Sequence, residues 1–165
     1  KLIRTEVDNG VLKISSKRNI RRAKSKRIYL TAPNINGIKA TSGSDVITEN
    51  TITADTFDAS TSSGADARIQ VNADIVNTSS SSGADLRIKG TANYHHTSAS
   101  SGSSIKAFSL ESKNVTAKVS SGANIDVHAS VSLKAKASSG GDIDYRGNPK
   151  NVDKRKSSGG SISSH

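Results

Sequence analysis

The sequence has no cysteine, no methionine and no tryptophan, two prolines and five aromatic residues in 165 positions. Without cysteine there is no disulfide framework, no cysteine-ligated zinc and no cysteine nucleophile. Hydrophobic residues are 32% of the chain, well below the usual apolar share of a globular domain. A thick core of large side chains is therefore not expected, and a thin core of Ala, Val, Ile and Leu requires a strongly repetitive chain. No window approaches the ~18 consecutive apolar residues of a membrane-spanning helix, and no signal peptide is visible. A chain that opens at Lys1 and holds no methionine reads as an interior or processed fragment whose targeting signal lay upstream. The absence of cysteine agrees with an exported bacterial protein, although many cytosolic proteins lack it too.

What is abundant is serine, 30 of 165 residues, and positive charge, 24 Lys and Arg against 14 Asp and Glu. The basicity is local. Residues 1–40 hold eleven basic and two acidic residues, and the remainder is nearly balanced. Lys17, Arg18, Arg21, Arg22, Lys24, Lys26 and Arg27 crowd into eleven positions. Such a run is suited to sulfated or uronic glycans, lipopolysaccharide phosphates or other anionic polymers and surfaces; its bland counterpart is a solvated loop. Nucleic acid is not an expected partner, because stacking aromatics are not interleaved with the charge.

The repeat carries the most information. Seven glycines, Gly43, Gly64, Gly83, Gly102, Gly122, Gly140 and Gly159, are spaced by 21, 19, 19, 20, 18 and 19 residues. Thirteen of the fourteen positions just before them are serine, the exception being Thr41. One past each glycine the residue is small. Two past it stand the polar Asp45, Asp66, Asp85, Ser104, Asn124, Asp142 and Ser161. Three past it stand the apolar Val46, Ala67, Leu86, Ile105, Ile125, Ile143 and Ile162. Alternation continues through Ala67-Arg68-Ile69-Gln70-Val71, the mark of a strand with one buried face. A period of 19–20 residues fits one turn of a β-solenoid made of two or three short strands and tight corners. Glycine supplies a positive φ at a corner. The predicted fold is all-β: a single-stranded parallel β-helix of six to seven rungs stacked ~4.8 Å apart, right-handed by analogy with parallel crossovers.

Residues 1–40 break the repeat. Val11–Ile14 and Arg27–Thr31 read as strands flanking the basic run, so 1–32 is expected to be a β-hairpin with a basic tip, a layer that caps the rod's open edge. Residues 41–165 then form the rungs, with Gly147-Asn148-Pro149 interrupting them before a short last strand.

The stretch Val11 to Pro33, ending in Ile28-Tyr29-Leu30-Thr31-Ala32-Pro33, is followed by Ser-Ser-Gly-Ala-Asp at 62–66 and 81–85 and Ser-Ser-Gly-Ala-Asn at 120–124. This combination resembles the auto-transporter adhesin head domain family, also called the GIN domain, common in Bacteroidetes. The resemblance covers essentially the whole chain. Family members usually carry more sequence ahead of this segment, so the chain is expected to be truncated at its N-terminus. The resemblance implies a β-helical, exported protein of the cell surface, outer membrane or periplasm, and brings no functional residue with it.

Two site types compete with a simple adhesive surface. The polar column at Asp45, Asp66, Asp85, Ser104, Asn124 and Asp142 could present oxygen ligands to Ca²⁺, but it lacks the glycine-dense nonapeptide of calcium β-rolls; corner capping, or pairing with Arg68 and Arg87, accounts for it more simply. Paired carboxylates such as Asp126 and Asp144 could serve glycan hydrolysis, yet the even spacing leaves no room for a cleft-building loop. His95 and His96 are adjacent and point to opposite faces of a strand, so no metal cluster forms. No catalytic residue, metal or cofactor is expected. The favoured reading is a non-enzymatic adhesin that binds surface glycans or matrix proteins, with self-association through rod ends or flat faces as a further route. The rivals are a polysaccharide-processing lyase or hydrolase and a purely structural assembly module.

Overall fold

The marker glycines sit in a turn that the sequence specifies closely. In the computed structural model, which describes residues 3–16 and 26–165, the serine before each marker glycine has φ between 49° and 57° and the glycine itself between 65° and 75°. Two successive residues with positive φ make a type I′ turn, the form that matches the twist of flanking strands. The turn closes on itself, as where the Ala65 N–H donates to the Ser62 carbonyl at 3.2 Å. It also stacks: the amide of each of the first six marker glycines donates at 3.1 Å to the carbonyl of the turn serine one coil further on, Gly64 to Ser82 and Gly83 to Ser101. Holding a non-glycine residue in the left-handed region costs about 1 kcal/mol. The turn-to-turn hydrogen bonds, repeated at every coil, offset that cost.

Between turns the chain runs as long strands. After β1 (Ile3–Asp8) and β2 (Val11–Ser16) come β3 (Gly37–Thr41), β4 (Asp45–Ile47), β5 (Ile52–Ser62), β6 (Asp66–Ser80), β7 (Asp85–Ala99), β8 (Ser104–Val119), β9 (Asn124–Ala137), β10 (Asp142–Arg146), β11 (Asn151–Lys156) and β12 (Ser161–Ser164). From β3 onward every pairing is parallel and each coil pairs with its sequence neighbours. The fold is thus a parallel β-solenoid of about seven turns, as the repeat predicts. The expected division into short strands is not seen: β6 to β9 span 14 to 16 residues each. In β6, Ala67, Ile69 and Val71 face inward, and then Val76, Thr78 and Ser80. The phase changes at Asp74, which the β6–β7 register skips. One coil therefore has two arms, Asp66–Ala73 and Ile75–Ser80, joined by an open corner at Asp74 and by the Ser-Gly turn.

The core is a set of columns. Val46, Ala67, Leu86, Ile105, Ile125, Ile143 and Ile162 are register partners through seven coils. On the second arm, Phe57, Val76, His95, Val115 and Leu133 form the matching column. Each fully buried Ile or Leu contributes about 1.5–3 kcal/mol, so a narrow stack suffices for a chain with few large side chains. Thr61 Oγ1 inside donates to Ser80 Oγ of the next coil at 2.9 Å, and Ser80 Oγ donates across its turn to the Ala84 carbonyl at 2.9 Å, while the buried Thr97 hydroxyl has no partner.

One expectation changes. The chain divides into compact units between Ala32 and Pro33, and β3 pairs with β5. An N-terminal antiparallel hairpin is present, but its strands are β1 and β2. Val11–Ile14 lies in its second strand, and residues 26–30 form no strand. The reason is local: Asn9 and Gly10, with φ of 48° and 77°, make the same tight turn chemistry as the solenoid corners, and they close two adjacent strands at no cost in loop length. The tip of this hairpin is Asn9-Gly10; most of the basic run expected at a tip lies outside the described residues.

His95 sets a pH dependence. It is fully buried, with Nε2 2.9 Å from Thr78 Oγ1 and Nδ1 without a partner. Desolvation first, and the neighbouring His96 second, lower its pKa from 6.5 to about 3. The folded protein holds this ring neutral while the unfolded chain protonates it below about pH 6.5. Its contribution to stability is complete above pH 6.5 and is lost as pH falls toward 3, by at most about 1.4 kcal/mol per pH unit. His95→Val, which copies Val76 and Val115 in the same column, should flatten the stability profile between pH 6 and pH 4 relative to wild type in urea titrations. Parallel profiles for the two proteins would contradict this.

Candidate functional site

Of the seven basic residues singled out by sequence, Lys17, Arg18, Arg21, Arg22 and Lys24 lie outside the described residues; Lys26 and Arg27 are exposed, in an irregular segment ahead of the solenoid. The solenoid itself offers two outward faces, one per arm.

On the first arm the polar column is in register as expected: Asp45, Asp66, Asp85, Ser104, Asn124, Asp142 and Ser161 are successive partners. Their backbone amides join the inter-coil ladder, as where Asp66 donates to the Ser44 carbonyl at 3.0 Å. Beside them runs a column of Ile47, Arg68, Arg87, Lys106, Asp126, Asp144 and Ser163. Pairing of the aspartates with Arg68 and Arg87 is not what the structure shows: the ion pairs among the described residues are Arg4–Glu6 and Arg155–Asp153. Nor do any three His, Asp or Glu side chains converge as a metal site among the described residues.

The lower part of this face is the most irregular. The β8–β9 register jumps between Ala107 and Glu111, and the extra residues include Phe108. The Arg146 guanidinium lies 4.2 Å from the centre of the Phe108 ring, and His165 meets the ring edge-on at 5.8 Å. Asp126 and Asp144 stack here in adjacent coils. Partial burial raises the Asp126 pKa, as does the Asp144 charge, against the opposing pull of Lys106, His165 and Arg146.

On the second arm two outward columns run in straight lines. Asp58, Asn77, His96, Thr116, Lys134 and Asp153 form one. Lys39, Ser60, Ser79, Ser98, Lys118, Lys136 and Arg155 form the other. Asn77 Nδ2 donates to Asp58 Oδ1 at 2.8 Å, which fixes the upper rows. A shallow concavity of about 470 Å³ crosses this face from Asp58 past Asn77 and Ser98 to Lys118. A second, of about 330 Å³, lies over Gln70, Asn72, Lys89 and Glu111. Each has one carboxylate in its lining, and neither includes Asp126 or Asp144.

The sequence-family description "Putative auto-transporter adhesin, head GIN domain" matches residues 1–149. The chain belongs to that family. The GIN domain here is similar in structure to a "putative adhesin" from Bacteroides fragilis NCTC 9343: 27% identity, TM-score 0.90, covering 99% of this chain and 77% of the other. A "putative adhesin" from Parabacteroides distasonis ATCC 8503, at 23% identity and TM-score 0.76 over 99% of this chain and 79% of the other, shares the fold. So does a "putative lipid binding protein" from the same strain, at 17% identity and TM-score 0.70 over 99% of this chain and 79% of the other. No curated protein matches the sequence. The described residues of this GIN domain contain no helix long and apolar enough to cross a membrane.

Proposed function

We propose that this GIN domain is a non-enzymatic adhesion module of an exported, surface or periplasmic protein, binding glycans or matrix proteins through its flat outward faces. The observation that carries the reading is the pair of straight columns on the second arm, where hydroxyl, amide and amine groups repeat once per coil over an open surface. Binding on such a surface is shallow and gains strength from repetition. Membership of an adhesin family and likeness to the B. fragilis protein support it. The basic run from Lys17 to Arg27 adds long-range attraction for anionic partners. An array of glycans and matrix proteins tests the reading. Reproducible binding to a defined class is expected, and silence across the array would contradict it. If the basic run engages anionic chains, retention on heparin falls with added salt and is lost in Arg21→Ser/Arg22→Ser; unchanged retention would remove the run from the account.

One observation favours a catalytic rival: Asp126 and Asp144, stacked carboxylates of which one has a raised pKa, as acid–base pairs require. They lie on an open face beside a ring already covered by Arg146 and His165, which leaves little of a cleft to hold a sugar. Polysaccharide depolymerisation abolished by Asp126→Asn/Asp144→Asn would establish the rival; intact polymer with wild type is expected.

A further inference from the structure

The charges of the solenoid are sorted along the chain. Residues 41–103 carry three cations against seven carboxylates, and residues 104–165 carry ten against five. Within the later half, Lys118, Lys136 and Arg155 are register partners in consecutive coils. Lys134, two residues from Lys136 on β9, faces the same way. All four are exposed. Coils lie ~4.8 Å apart, so three like charges stand within ~10 Å of one another, an arrangement that is unfavourable without counter-charge. Asp153, the partner of Lys134, is held by Arg155 at 3.3 Å. No carboxylate among the described residues forms an ion pair with Lys118, Lys134 or Lys136. Lys154 and Lys156 add charge at the edge, with the Lys154 ammonium 4.5 Å from the centre of the Tyr145 ring. Toward the earlier coils the same face continues as Ser98, Ser79 and Ser60, with His96 and Asn77 alongside, and the shallow concavity joins this track to Lys118, with Asp58 at its far end held by Asn77.

We propose that Lys118, Lys134, Lys136 and Arg155 form a binding site for an acidic polysaccharide, sulfated or uronate-bearing, laid along the axis of the coils. The anionic groups meet the cations, and the sugar hydroxyls exchange hydrogen bonds with the serine column. A linear polymer matches a straight column in a way a compact anion does not. The two columns contain no Phe, Tyr or Trp on which nucleobases would stack, and no large apolar side chain to enter a lipid surface. The proposal rests on the adhesion reading above and names its ligand class and its place.

The test uses the full chain and heparin as the sulfated probe, with an alginate-type uronate chain and neutral dextran alongside, by titration at several salt concentrations. Lys118→Ser/Lys134→Thr/Lys136→Ser extends Ser98 and Thr116 of the earlier coils into the same columns, and the triple variant should melt at or slightly above the wild-type temperature. It should bind heparin at least tenfold more weakly, with the slope of log affinity against log salt reduced by about two to three, as counterion release requires. Lys13→Ser/Lys89→Ser/Lys106→Ser removes the same net charge elsewhere and should lose less than threefold. Equal loss in both triples, or loss confined to Arg21→Ser/Arg22→Ser, overturns the site. Equal affinity for duplex DNA or anionic vesicles, lost equally in the first triple, overturns the polysaccharide assignment. Binding to neutral glycans or matrix proteins with none to acidic chains overturns the proposal while the adhesion reading stands; silence toward every probe removes both.

Discussion

Gly90→Ala is expected to destabilise the solenoid by about 4 kcal/mol or more, or to prevent folding outright, whereas Gly64→Ala should cost about 1 kcal/mol. Gly90 has φ of +128°, where L residues are sterically excluded, and a Cβ built there falls 1.9 Å from the Val71 carbonyl oxygen in the adjacent coil. Neither that oxygen nor Asn72, whose Oδ1 would be 2.9 Å away, can withdraw without breaking the ladder around Thr91, which bonds Asn72 Oδ1 through both its amide and its hydroxyl. Gly64 has φ of +67° and open space around its Cβ direction, so only the backbone preference is lost. Thermal melts of the two variants should differ by about 10 °C, at roughly 2–4 °C per kcal/mol for a chain of this size. Equal melting temperatures would mean that coils do not approach each other at Gly90 as described.

The second large effect belongs to the aliphatic column. Ile125→Ala should cost about 3–4 kcal/mol, within the range for large-to-small changes in a packed interior. Ile125 is fully buried between Ile105 and Ile143 in its column, and coils held by continuous backbone pairing on both sides have little freedom to collapse into the vacated space. Val152→Ala, in the same inward phase of its arm as Leu133 but 43% exposed, should cost less than about 1 kcal/mol. Urea denaturation of both variants measures the contrast. A small effect at Ile125 would contradict the single continuous core.

The repeat made the parallel stacking and the inward column from Val46 to Ile162 legible, because three positions past each glycine the residue is always apolar and the turn that fixes the phase comes just before it. Strand length was less legible. The phase change at Asp74 is carried by one irregular residue, and single-residue irregularities leave no periodic trace. The hairpin's bounds were less legible, because Asn9-Gly10 is a two-residue turn signal of ordinary strength beside strands with few large apolar residues. The second-arm face was legible in principle: Lys39, Ser60, Ser79, Ser98, Lys118, Lys136 and Arg155 all stand four residues before a marker glycine. Counting forward from the glycines loses this column, since the extra residues around Phe108 shift the phase within the coil. Counting backward from the next turn recovers it. Buried His95 follows the same logic. Alternation puts it on the opposite face from His96, and the register shows that its face is the inner one, between Val76 and Val115.

That column is the claim on which both the fold and the proposed binding depend, and its spacing can be measured directly. The chain has no native cysteine, so nitroxide labels can be placed at Lys39 together with Lys118, Lys136 or Arg155, four, five and six coils away by register. Pulsed dipolar spectroscopy should give three narrow distributions, with backbone separations near 19, 24 and 29 Å, rising by about 4.8 Å per coil. Three distances that do not rise in that order, or that coincide, would contradict a straight in-register stack.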